Sequence, residues 1–295
     1  MENTRRSIVN STFNKICDDC VFKNMRLTFL IIFGLISSLL EPVIFAQTRD
    51  GQQLVTAELI SDAVNTEKPF AVGIRFTLQP EWYLYWKNPG DAGLPIEVQW
   101  ELPPGWKAGD VQLPTPSKFV HGDITAFGYK DEVVLLTTVI PARDSKGPIK
   151  AQLNWLVCRE SCLRGGKTVT LDISKRTSDQ RIQDSSLLSA FRSKLPGAQK
   201  ESGVAIQKSR LSRTGEQWTL NISLVGGVAT EVEDFYPEVV DGLVMDLQRI
   251  SVLKGELTIG FVRQSESIHT ANLRGLLVTT DSAFEFQIPV QFSSQ

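Results

Sequence analysis

The sequence predicts an all-β protein built from two antiparallel β-sandwiches behind an exported N-terminus, and three observations carry that expectation. Short stretches rich in β-branched and aromatic residues recur with Pro, Gly, Asn and Asp between them. No amphipathic helical stretch of useful length intervenes before Ser174, which argues against an α/β domain. The 295 residues, 42% of them hydrophobic, also exceed the usual size of one sandwich.

Residues 27–40 read LTFLIIFGLISSLL, an uncharged apolar run behind Lys23 and Arg26 and ahead of Pro42 and the small Ala46. That is the layout of a secretory signal peptide, so residues 1–46 are expected to be a signal region cleaved after Ala46. Met25, followed by Arg26, offers a more compact start than Met1. The rival reading is an uncleaved anchor, because residues 27–46 number 20, near the ~20 that span a bilayer. Cys17 and Cys20 precede the apolar run and lack a second ligand pair, so they are assigned no function.

In the exported part, residues 53–59, 70–78, 96–100, 133–140, 149–157 and 167–173 read as strands of a first sandwich spanning 47–174. A polar connector follows over 175–202, with a helix expected at 185–195 and closed by Pro196-Gly197. Residues 218–224, 243–247, 256–262, 273–279 and 284–292 then build a second sandwich over 203–295. With 31 Lys and Arg against 33 Asp and Glu, and no long run of one sign, no nucleic-acid partner is expected.

Export leaves Cys158 and Cys162 in a compartment where a close pair can be oxidised. In extended chain their Cα atoms would lie ~13 Å apart, beyond disulfide reach, so a bond requires a turn between them. RESCLRGG is expected to supply it, with Gly165 and Gly166 giving the backbone freedom to return to the sheet. Ala151, Leu153, Trp155 and Val157 should share one face, as should Val169, Leu171 and Ile173. So small a loop restrains the unfolded chain weakly, which favours an exchange role over a stabilising one. A structural clip pinning a surface hairpin stays open beside it. Arg159 and Arg164 would favour a thiolate and Glu160 oppose it. A metal would need further ligands, and His121 and His269 fall in different halves, so neither metal nor cofactor is expected.

The ordered motifs WYLYWKNPGDAGLPIEVQWELPPGW (82–106), LPTPSKF (113–119), GYKDEVVLL (128–136) and NWLVCRESC (154–162) resemble the N-terminal periplasmic domain of the DsbD family. The likeness is to the branch that includes the copper-sensitivity suppressor ScsB, and LRGLLVTTDSAFEFQIPV (273–290) is similar to that branch's second β domain. The resemblance implies immunoglobulin-like β-sandwich domains, with Cys158 and Cys162 as a redox pair. It also implies reducing equivalents from a membrane electron-transfer protein, passed to a thioredoxin-like periplasmic oxidoreductase, with no small-molecule substrate. Asp91, Phe119 and Tyr129 are candidates to line or shield the cysteines. Asp91 also reads as an ordinary turn residue, and Phe119 and Tyr129 as packing. Trp82, Trp86, Trp100 and Trp155 read as core.

Two departures bear on the expectation. Three residues separate the cysteines here, fewer than in the best-known family members, so cap geometry is not carried over. The family's multi-span membrane module and thioredoxin-like domain have no counterpart in these residues, so a separate protein is expected to reduce the pair. The alternative function is a non-catalytic interaction module with a structural disulfide, and a weaker one, copper handling, rests on the branch's name.

Overall fold

The computed structural model describes residues 50–143 and 145–292; the predicted signal region 1–46, with Cys17, Cys20 and Met25, lies outside them. The first sandwich contains β1 (Val55–Ile60), β2 (Phe70–Leu78), β3 (Tyr83–Gly90), β4 (Glu97–Glu101) and β5 (Lys107–Ala108). It continues with β6 (Ser117–His121), β7 (Ile124–Lys130), β8 (Glu132–Ile140), β9 (Ile149–Cys158) and β10 (Cys162–Leu171). One sheet runs β1-β2-β8-β5, the other β10-β9-β3-β7-β6 with β4 also paired to β9, and the pairings are antiparallel.

Alternation decides which face of each strand is buried. Ile149, Ala151, Leu153, Trp155 and Val157 of β9 point inward, as do Val169 and Leu171 of β10, while Lys150 and Gln152 stay exposed. The facing sheet answers with Val72, Ile74 and Phe76 of β2, and Phe76 meets Trp155 edge to face at 5.8 Å between centroids. Trp82 and Trp86 are buried and Trp100 packs against the same core.

The polar connector contains more order than its composition suggests. Helix α1 (Ser178–Arg192) begins earlier than the sequence reading because Thr177 and Gln180 form a reciprocal capping box that starts it there. Its Leu188 and Phe191 are buried, and it lies against β8 of the first sandwich. Asp184, 5% exposed, accepts the Ser61 N–H at 3.0 Å and pairs with Arg176. A one-turn helix α2 (Gln199–Ser202) follows.

The second sandwich comprises β11 (Ala205–Thr214), β12 (Gln217–Val225), β13 (Asp234–Pro237), β14 (Leu243–Leu253), β15 (Glu256–Arg263), β16 (Thr270–Val278) and β17 (Ala283–Gln291). Its sheets run β11-β12-β15-β14 and β13-β16-β17, around buried Ile222, Ile259, Phe261, Phe286 and Ile288. The fold is all-β, with two immunoglobulin-like sandwiches. Among the described residues, no helix is long and apolar enough to cross a membrane.

Because Asp184 is buried with two partners, removing its carboxylate strands both the Ser61 N–H and the Arg176 guanidinium. Asp184→Ala is expected to lower unfolding free energy by about 3 kcal/mol, read from denaturant midpoints. Leu188→Ala should cost about 2–5 kcal/mol by leaving a cavity under the helix.

Candidate functional site

The site grows from the β9–β10 hairpin. Cys158 ends β9 and Cys162 begins β10, directly opposite each other in register, with Arg159, Glu160 and Ser161 making the whole turn. The two are disulfide-bonded with Cα atoms 4.2 Å apart. The turn is therefore tighter than the sequence reading placed it, and Gly165 and Gly166 take no part in it. They lie inside β10, where a Cβ at Gly165 would come 2.4 Å from the Trp155 indole nitrogen across the pair. Close packing, rather than freedom to turn, calls for glycine there.

The pair is asymmetric. Cys158 is 1% exposed, whereas Cys162 is exposed on the edge strand. Behind Cys158 stands β3, a strand that the sequence reading left unassigned. Register pairs Tyr83 with Cys158, so Tyr83 and Tyr85 share the cysteine face while Leu84 and Trp86 enter the core. The Tyr85 hydroxyl donates to Cys158 Sγ at 3.0 Å and lies 3.7 Å from Cys162 Sγ. Tyr83 packs edge-on to Tyr85 at 5.3 Å and against Phe119 at 5.0 Å. The Lys130 ammonium caps the Phe119 ring at 4.8 Å, and the Arg159 guanidinium sits 5.4 Å from the Trp82 ring.

The three residues expected to line the cysteines separate. Phe119, half-buried on β6, joins the Tyr83, Tyr85, Ala126 and Cys158 cluster. Tyr129 points the other way: β7 alternates, sending Phe127 and Tyr129 into the main core, where the Tyr129 hydroxyl donates to the Pro114 carbonyl at 2.8 Å. Its place in the lining is corrected to a core tether. Asp91 contacts neither sulfur; its carboxylate accepts the Thr125 N–H at 2.7 Å and its own N–H donates to the Thr125 carbonyl at 2.8 Å. Asp91 thus fastens the loop after β3 to β7, as a turn residue does. That loop reaches the site through Gly93, whose φ of +118° favours glycine and whose Cβ would fall 2.3 Å from Tyr85 Cζ.

Tyr85 and Tyr83, missed as site residues, carried a signal in the sequence: two phenols at i and i+2 must share a face of any strand through WYLYW. What was missing was the pairing of that strand with the cysteine hairpin. His121 is exposed at the end of β6 and His269 belongs to the second sandwich. Among the described residues no group of three or more His, Cys, Asp or Glu is placed to hold a metal ion.

Burial first, and the neighbouring Tyr83 second, hold the Tyr85 phenol far above its ordinary pKa, so it remains a proton donor throughout the range of thiol chemistry. Burial likewise raises Tyr129 strongly and pushes Tyr236 up to about 12. Unfolded phenols lose their protons near pH 10, so above that pH the folded protein holds more protons than the unfolded chain and stability falls as pH rises. The unfolding free energy from urea titrations is expected to drop from about pH 10 upward, by as much as about 1.4 kcal/mol per pH unit for each retained proton. Tyr129→Phe should flatten that decline.

Residues 52–173 match the family described as thiol:disulfide interchange protein DsbD, N-terminal. No curated protein matches the chain. Among solved structures, the N-terminal periplasmic domain of ScsB from Proteus mirabilis is similar at 18% identity and a TM-score of 0.61, covering 83% of this chain and 97% of that one. The reduced N-terminal domain of DsbD from Neisseria meningitidis aligns at 15% identity and a TM-score of 0.25, over 44% of this chain and 92% of that one. The ScsB domain shares the tandem-sandwich fold over nearly its whole length, and the segment that carries the disulfide is the segment the family match covers. The match to the DsbD N-terminal domain is confined to residues 52–173, the first sandwich with its Cys158–Cys162 disulfide.

Proposed function

We propose that this chain is a periplasmic thiol-disulfide exchange protein in which Cys162 meets the partner and Cys158 is the internal sulfur. The observation that carries the proposal is the asymmetry of the pair: an exposed Cys162 bonded to a Cys158 that is buried beneath the Tyr85 hydroxyl. A partner thiolate attacks the sulfur it can reach, so the incoming bond forms to Cys162 Sγ while the Cys162–Cys158 bond breaks. Cys158 leaves with the electron pair, and the Tyr85 phenol, 3.0 Å away, donates to the developing thiolate. A second partner thiol then attacks the partner sulfur of the mixed disulfide, releasing the dithiol protein and the oxidised partner.

The outward step runs through the same sulfurs. Reduced Cys162 attacks a client disulfide, the mixed disulfide forms through Cys162, and Cys158 resolves it by attacking Cys162 Sγ. The client leaves reduced and the internal disulfide returns, so two electrons have moved. The family match supports a membrane electron-transfer protein as donor and a thioredoxin-like oxidoreductase as acceptor, and the periplasmic origin of the ScsB neighbour supports the compartment.

Equilibration with glutathione buffers tests the reading. A reduction potential between about −180 and −270 mV is expected, whereas a value below about −300 mV with no transfer to thioredoxin-like proteins would make the pair a structural clip. In the reduced protein, alkylation followed by mass spectrometry should find Cys162 modified at least about tenfold faster than Cys158. Cys158→Ser should accumulate a mixed disulfide through Cys162, and Cys162→Ser should not.

A further inference from the structure

The second sandwich touches the first along the strands that carry the cysteine site. Strand β3 breaks its pairing with β7 between Tyr85 and Gly90, and β14 breaks its pairing with β15 between Asp246 and Ile250. Both irregularities face the other sandwich. From the β14 bulge, Gln248 donates to the Asp123 carbonyl at 3.2 Å and to Thr125 Oγ1 at 3.1 Å. From the β3 bulge, Lys87 pairs with Glu238 at 2.6 Å, and Lys118 on β6 pairs with Asp234 at 2.8 Å.

Asn88 belongs to this contact and is 7% exposed. Its Nδ2 donates to the Pro237 carbonyl of β13 at 2.6 Å, while its Oδ1 accepts the Gly90 N–H at 3.0 Å. One buried amide thus ties the second sandwich to the start of the loop after β3. Asp91 fixes the next residue to Thr125 on both its N–H and its carboxylate, and Gly93 then rests its backbone against the Tyr85 ring at the carbon bearing the hydroxyl. That hydroxyl is the donor to Cys158 Sγ. A buried amide with both ends occupied cannot give up one partner cheaply, so the chain of contacts holds as a unit.

We propose that Asn88 is a positioning residue through which the second sandwich holds the Tyr85 hydroxyl on Cys158 Sγ. The inference rests on the exchange reading above and assigns the second sandwich a part in it: without the Pro237 anchor, the loop that backs the Tyr85 ring loosens and the donor drifts from the sulfur. Because the phenol stabilises the reduced, leaving sulfur more than the disulfide, the loss favours the oxidised form.

A double-mutant cycle on the disulfide's reduction equilibrium tests this. Tyr85→Phe is expected to shift the equilibrium toward the disulfide by about tenfold, the size of one hydrogen bond to a charged group. Asn88→Ala should shift it severalfold in the same direction, and in a Tyr85→Phe background the Asn88 substitution should add nothing. Asn88→Asp keeps an acceptor for the Gly90 N–H and removes the donor to Pro237, so it isolates the inter-sandwich arm and should behave like Asn88→Ala. Circular dichroism and thermal melts verify that each variant is folded, and loss of stability alone would not produce a shift that vanishes with Tyr85. An Asn88→Ala shift of the same size with and without Tyr85, or a wild-type equilibrium for Asn88→Asp, would overturn the inference. The cycle is run in dithiothreitol as well as glutathione, so a disulfide too stable for glutathione would sink the exchange reading while leaving the coupling between Asn88 and Tyr85 measurable.

Discussion

The arrangement depends on the pleat of one strand. Successive side chains of β3 point to opposite faces, so the same short segment places Leu84 and Trp86 in the sandwich core and Tyr83 and Tyr85 on the outer face. Burial of Leu84 and Trp86, both at most 1% exposed, fixes the register of the strand, because a slip by one residue would exchange the two faces. Once that register is fixed, Tyr83 stands opposite Cys158, and Tyr85 is carried to within hydrogen-bonding distance of its sulfur. The chemistry on the outside is therefore indexed by packing on the inside. The strand sets the face that each phenol reaches, and the loop after β3 then backs the Tyr85 ring through Gly93.

The hairpin obeys the same logic. A three-residue turn puts Cys158 and Cys162 opposite one another, and the sheet buries one while the edge exposes the other. A bridge closing so few residues removes little entropy from the unfolded chain, and the strands on either side are already paired over ten positions. Holding the hairpin together is thus a small task for the bond. Its placement leaves one sulfur exposed at the sheet edge and the other buried under a hydroxyl donor.

Much of this architecture was legible in the sequence because hydrophobic alternation is a local signal. Residues 70–78, 133–140 and 149–157 alternate or run apolar as core strands, and β2, β8 and β9 fall there. Strands β3, β6 and β7 were not legible, and the reason is specific. β3 contains Lys87, Asn88, Pro89 and Gly90, residues that read as a turn, yet its bulge is packed against another sandwich, where turn chemistry serves an interface. Strand β6, with SKFVH, is an edge strand half open to solvent and lacks a buried face to betray it. Of the helix over 178–192 only the later part was legible, within the helix expected at 185–195; its first turns are mostly polar and face solvent, and only Asp184, Leu188 and Phe191 are buried in docking it. The cysteine pair was legible as a pair; Tyr85 was not tied to it, because a contact spanning 73 residues depends on tertiary register.

The same distinction separates Asp91 from Tyr129 and both from Phe119. A motif marks where a family keeps its residues, but strand parity decides which face a side chain reaches. On β7, Ala126 turns toward the cysteine cluster while Phe127 and Tyr129 turn into the core, so Tyr129 lies one parity step from the site that its motif suggested. Phe119 on β6 has the correct parity and meets Tyr83. Asp91 lies past the end of β3, where parity no longer applies and local hydrogen bonds take over, and its carboxylate accordingly satisfies a backbone N–H of Thr125. Its part in the site is carried by position alone: clamping that loop keeps Gly93 against the Tyr85 ring, and a side chain that never touches sulfur still bears on where the hydroxyl sits.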